Sequence, residues 1–282
     1  MVQAESNPFF GKYNTPFETT PFDKIKTEHY EPAFQRGIDE LKKDIDNITN
    51  NPKPATFENT IVALERSGKL LNRVSGAFFN VLSANANDEM MEISQRVSPS
   101  LTESSNYIYL NEKLFNRVKA VYDQRASLNL NTEDAKLLEE TFRSFQEKGA
   151  NLNSADKEKY KELTKELSLL TLQFDQNSLK DQNRFEMLLT DQKEVAGLPE
   201  SALDAAKFAA KEKGKEGWLF TLDAPSYGAF VKYADSRDLR EKMYKAFMSV
   251  GNKGDEYDNQ EIIRKIVNDR LAIAKLMGYP NY

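Results

Sequence analysis

The chain of 282 residues contains no cysteine and a single histidine. The missing cysteines exclude disulfides, thiol nucleophiles and Cys-based zinc sites, and leave the redox compartment open. The shortage of histidine is as restrictive. A catalytic zinc takes three protein ligands, drawn mostly from His with Asp or Glu, and an HExxH helix needs two histidines in itself. Triad-type catalysis would have only His29 to use. Its setting, Thr27-Glu28-His29-Tyr30-Glu31-Pro32, reads as a helix entry with Pro32 at an early position, so a local packing or capping role is expected for it.

Other absences narrow the field further. No apolar run approaches the ~20 residues that a membrane span needs. The opening MVQAESNPFF has neither a basic n-region nor an apolar h-region. No signal peptide is expected from it, which favours a cytoplasmic location, with the periplasm as the alternative if a leader has been removed. Neither GxxxxGK[ST] nor GxGxxG occurs, and Gly-x-Ser-x-Gly is missing too. Repeats at the spacing of helical arrays are not found. Positive charge is not in excess: 39 Lys and Arg stand against 44 Asp and Glu. Neither nucleic acid nor a membrane is therefore expected as a partner. The densest cationic group, Lys207, Lys211, Lys213 and Lys215, is interrupted by Glu212 and Glu216 and reads as a solvated helix end.

What is present is helical periodicity. In residues 56–68, TFENTIVALERSG, Thr56 is placed to cap a first turn, Glu58 suits the helix dipole, and Phe57, Ile61 and Leu64 share a face. Gly68 is placed to end or kink that helix, which can run on through Leu71, Val74, Phe78 and Leu82. Further helices are expected over 32–48, 88–110 with a kink or split at Pro99, around 114–122, over 131–148, over 154–179 with Ser154 as cap, and over 225–234, 236–250 and 258–277. Residues 185–189 and 218–222 read as two short paired strands with a helix between them. The expected fold is mainly α: a multi-helix lobe of long antiparallel helices with one small pair of short β-strands. It divides into an extended Pro- and Phe-rich arm at 1–26, a helical subdomain at 27–182 and a strand-helix-strand region with further helices at 183–282. In the arm, Phe9, Phe10, Phe17 and Phe22 are expected to pack onto the body rather than stay in water.

The residues themselves offer little chemistry. The paired acids Glu139-Glu140, Asp88-Glu89 and Asp255-Glu256 read as surface carboxylates. Tyr227 with Gly228, Tyr257, and Tyr279 to Tyr282 place phenols and glycines in loops where a peptide could be held, and that signal is weak for each. No residue is assigned as catalytic or metal-binding, and the substrate-binding residues are unknown.

The string at 56–68, preceded by FDKIKTEHYEPAF at 22–34, resembles the N-terminal region of the thimet oligopeptidase, oligopeptidase A and peptidyl-dipeptidase family of zinc metallopeptidases. LLEETFRSFQEKGANL at 137–152, FDQNSL at 174–179, AGLPE at 196–200, SRDLREKMYKAF at 236–247 and the stretch 258–282 follow in the family's order. The likeness runs from Asn7 onward, and the peptidyl-dipeptidase branch, which removes C-terminal dipeptides, is nearest. One departure lies within it: Met248-Ser249-Val250-Gly251 stands where the family often has an Arg close by. The resemblance implies a mostly helical enzyme with a deep channel between two lobes, admitting short peptides. It implies zinc in the parent enzyme and none bound by this chain, because the family's HExxH helix and its other catalytic residues lie beyond Tyr282. It makes this chain the wall of the channel, inactive alone, with exposed apolar surface on the last helix and the strands that meets the catalytic lobe or self-associates. The alternative is a stand-alone helical module that binds peptides or proteins.

Overall fold

The computed structural model describes residues 7–282. The first six residues of the expected arm lie outside the described residues. Two compact units are present: one comprises 1–169 with 268–282, the other 170–267.

The first unit is a helical assembly. Short turns at Pro8–Phe10, Pro16–Glu18 and Thr27–His29 lead into α1 (Tyr30–Thr49). A π-helical turn, Phe57–Val62, runs into the short α2 (Ala63–Glu65). Then come α3 (Lys69–Asn85), α4 (Asp88–Tyr109), α5 (Glu112–Asp123) and α6 (Thr132–Glu147). The buried stripe of α1, including Phe34, Ile38, Leu41 and Ile45, follows the three-four spacing of its sequence. It packs on α3, where Val74 and Phe78 are fully buried. Phe34 and Phe78 meet edge to face at 5.3 Å, and Tyr30 adds a second edge contact to Phe78 at 5.0 Å. The two backbones approach closely at Gly37, where a Cβ would lie 2.9 Å from the Leu71 backbone. Only glycine leaves room for that crossing.

The arm meets its expectation in part. Phe9 is fully buried and Phe10 lies under the Arg36 guanidinium at 4.4 Å. Phe17 and Phe22 are exposed. The turn that carries Phe17 runs through a left-handed conformation, φ 58°, and its ring stands in water.

At two boundaries the structure decides between alternatives the sequence left open. The 56–68 helix does not run on into α3: Gly68 has φ 65°, and α3 starts afresh at Lys69 with Gly68 as its N-cap. Conversely, α4 continues unbroken through Pro99. Burial of Met90, Ile93, Val97 and Ser104 on either side holds the helix together against the lost N–H.

The long α7 (Ser154–Asn183) begins in the first unit and continues in the second. Its first turn is capped by Asn153, whose side chain accepts from the Asp156 N–H at 2.9 Å, with Ser154 one place inside. The second unit holds β1 (Met187–Leu189), α8 (Glu200–Glu212), β2 (Trp218–Phe220), α9 (Ala224–Tyr233), α10 (Arg237–Met248) and the start of α11 (Gln260–Leu276). The strands pair antiparallel, with Met187 opposite Phe220 and Leu189 opposite Trp218, and α8 is inserted between them in sequence as expected. Met187, Leu189, Phe220, Phe230 and Met243 form a separate small core.

Candidate functional site

His29, the only imidazole, is engaged locally. Its Nδ1 accepts from the Lys26 N–H at 3.0 Å, and its carbonyl accepts from the Asn7 amide at 2.8 Å. Among the described residues no three His, Asp or Glu side chains gather as a metal site requires. The zinc implied by the family resemblance therefore finds no matching donor set in these residues, and no step is derived through it.

The string at 56–68 builds a polar junction. Thr56 and Asn59 bond reciprocally: the Asn59 N–H donates to the Thr56 hydroxyl at 3.1 Å, and the Thr56 N–H donates to Asn59 Oδ1 at 2.9 Å. The Asn59 amide donates to the Pro54 carbonyl at 2.9 Å. Arg117 of α5 then closes the junction with bonds to Asn59 Oδ1 at 3.0 Å and to the carbonyls of Asn51 and Lys53, both at 3.1 Å. One guanidinium thus fixes the Pro-rich connection ahead of the π-turn. Sequence spacing gives no hint that Arg117, 58 residues from Asn59, takes this role.

The second unit has a comparable junction around Asp181, a fully buried carboxylate near the end of α7. It accepts from the Gly251 N–H at 2.7 Å, from Lys253 Nζ at 2.8 Å and from Arg184 Nε at 2.7 Å. Burial pushes its pKa up, but the bonds from Lys253, Gly251 and Arg184 outweigh that and hold it below the ordinary carboxylate value. Gly251 belongs to the segment that departs from the family pattern. Beside it, Asn259 accepts from the Asn177 amide at 3.0 Å and donates to the Phe174 carbonyl and the Ser178 hydroxyl.

The phenols singled out in the sequence do not converge. Tyr227 and Gly228 lie within α9 rather than in a loop, and the Tyr227 ring stacks on Phe247 at 4.2 Å. Tyr257 lies under Arg184, and Tyr282 under Arg270. The acidic pairs are surface groups: Glu140 is bound by Lys136 and Arg143, Asp255 by Arg184, and Asp88 with Glu89 opens α4. Lys213 and Lys215 both bond Glu186 and hold its pKa at about 2.

Two further features went unread in the sequence, apart from the apolar exposure expected on the last helix and the strands. The first is an apolar face on α10, where Tyr244, Phe247 and Met248 are exposed at helical three-four spacing. Ile263 and Val267 on α11 and Leu188 on β1 are exposed as well. The second is a cleft of about 700 Å³ in the first unit, bordered by α1, α3, α4, α6 and the end of the 56–68 string. No spacing rule could have assembled it, because its lining comes from five separate stretches of the chain.

Residues 230–282 match the model of Peptidase family M3. The chain is 38% identical to dipeptidyl carboxypeptidase of Escherichia coli (strain K12) over 277 residues, which is 98% of this chain and 41% of that protein. It is 32% identical to oligopeptidase A of the same organism over 272 residues, 95% of this chain and 40% of that protein. With the organellar oligopeptidase A of Arabidopsis thaliana it shares 30% identity over 98% of its length and 35% of the relative's. The chain thus spans about two fifths of the length of the curated relatives it matches.

Proposed function

We propose, from a resemblance to the oligopeptidase A and dipeptidyl carboxypeptidase family that runs along nearly the whole chain, that this protein forms the helical channel wall of a zinc metallopeptidase acting on short peptides. The observation that carries this reading is the pairing of two shares: 98% of the chain aligns, and it accounts for 41% of the relative. Removal of C-terminal dipeptides is favoured over internal cleavage because identity is higher to dipeptidyl carboxypeptidase, at 38%, than to oligopeptidase A, at 32%.

In this reading the residues described above bind and sort rather than react. The junctions at Asn59–Arg117 and Asp181–Gly251 hold connections in fixed positions, and the helices present a rigid wall that excludes folded proteins. Zinc belongs to the complete enzyme, and this chain alone is inactive. The exposed face of α10, with Ile263 and Val267, is covered by the remainder of the peptidase. When this chain is alone, the face drives self-association. The proposed location is the cytoplasm, and no helix among the described residues is long and apolar enough to cross a membrane.

A second reading, a stand-alone helical binding module, is favoured by the same exposed face. Sequencing the gene onward from the Tyr282 codon separates the two. An open frame that reaches an HExxH segment is the expected result. A stop codon directly after Tyr282 would favour the binding module.

A further inference from the structure

We propose that the N-terminal arm is exchangeable: strain in its link lets residues 7–13 of one copy dock on α1 and α3 of a second copy, in place of that copy's own arm, so that two chains form a reciprocal dimer. Residues 7–13 are a fitted plug. Phe9 is fully buried against Tyr30, with ring centroids 5.4 Å apart. The Asn7 amide donates to the His29 carbonyl at 2.8 Å, and Arg73 of α3 donates to the Phe9 carbonyl. The same guanidinium lies over the Tyr13 ring at 4.6 Å.

The link behind the plug is built differently. Among the described residues, the hydrogen bonds of 14–20 all stay within 15–22. Glu18 pairs only with Lys12 of the same arm, at 3.6 Å, and both side chains are exposed. Phe17 and Glu18 are consecutive residues at positive φ, 58° and 53°, and neither is glycine. Side chains resist that region, and a residue stays there only where its surroundings enforce it. The Phe17 ring, 98% exposed, has no such surroundings. Drawn out, the link relaxes both residues, and 14–20 then span about 24 Å. Thr15 and Thr20 each precede a proline, which biases them to the extended backbone that an open link needs.

The same energetics identify the occupant. With the arm lifted off, the body would keep a void in place of Phe9 and would uncover Tyr30, and a void of that size is destabilising. The arm of a second copy carries Asn7, Phe9 and Tyr13 at the same spacing and restores each contact. The docked contacts are therefore equal in the closed chain and in the reciprocal dimer, and the link decides between them. A closed link keeps its two left-handed residues. An open link loses them, against the entropy of bringing two chains together. Rising concentration moves the balance toward the dimer.

The test uses the whole chain carrying Met248→Lys, which weakens association through the α10 face, and a sequence-specific protease site inserted after Thr19. Both changes fall at exposed positions, and circular dichroism checks that the fold survives. The chain is refolded from urea at high concentration, so that arms can exchange, and its mass is read by light scattering before and after the protease. The expected result is a dimer that falls to monomer mass once the link is cut, because each plug then stays on the other body with nothing joining the two. Phe17→Gly together with Glu18→Gly lets the closed link turn without strain and should lower the dimerisation constant by at least about tenfold. Monomer alone at every concentration would overturn the proposal. So would a dimer that keeps its mass after cutting, or a dimerisation constant that the glycine pair leaves unchanged.

Discussion

Arg117 makes three hydrogen bonds, one to Asn59 and two to the carbonyls of Asn51 and Lys53. Arg117→Ala leaves those groups and Asn59 without their charged donor. It should lower stability by about 2–3 kcal/mol, read as a fall in the urea midpoint at unchanged slope. A shift below about 0.5 kcal/mol, the level of an ordinary surface change, would show that the junction contributes nothing. Asp181 gives a pH signature. Its folded pKa is held below the unfolded value, so its contribution is present above the unfolded pKa of about 3.9 and is lost as pH falls through the folded pKa. Urea unfolding from neutral pH into this acid range should therefore show a steeper acid loss for the native chain than for Asp181→Asn. Parallel curves would contradict it. In the sequence, the Thr56–Asn59 end of the first junction was half legible, because Thr56 is a recognisable cap. Arg117 and Asp181 were not: the partners of Arg117 lie 58 or more residues away, and of those of Asp181 only Arg184 is near in sequence, while Gly251 lies 70 residues off.

At the scale of elements, periodicity carried most of the reading. The helices and the two strands with α8 between them follow from apolar spacing and from the Gly and Pro signals at their ends. What periodicity could not give is hydrogen-bond pitch. The apolar spacing of the 56–68 string fits an α-turn, yet Phe57–Val62 is wound as a π-turn. At Pro99 the helix is not split, and tertiary burial carries α4 past a local breaker. The pair Gly37 and Gly76 tests helix packing directly. Gly37→Ala puts a methyl 2.9 Å from the Leu71 backbone and should cost about 1–3 kcal/mol. Gly76→Ala, on α3 with nothing within 4 Å, should stabilise by up to about 1 kcal/mol through helix propensity. Thermal melts that rank the two variants the other way would mean that the crossing of α1 on α3 is misplaced.

For the molecule as a whole, the exposed apolar residues carry the next expectation. Tyr244, Phe247 and Met248 leave a contiguous turn of α10 in water. Light scattering over a wide concentration range should show association, and Met248→Lys should reduce it. A strictly monomeric native chain would contradict a partner-covered face. The likeness to the peptidase relatives was legible in ordered phrases. The cleft was not legible, because Glu65, Ser105, Ser144 and Lys148 are brought to it only by the tertiary fold.

The role proposed for this chain is to shape a peptidase without carrying its chemistry. Incubating the purified chain with added zinc and an internally quenched short peptide tests it most directly. The expected result is no hydrolysis above the rate without protein. Sustained turnover that a chelator abolishes and zinc restores would contradict it.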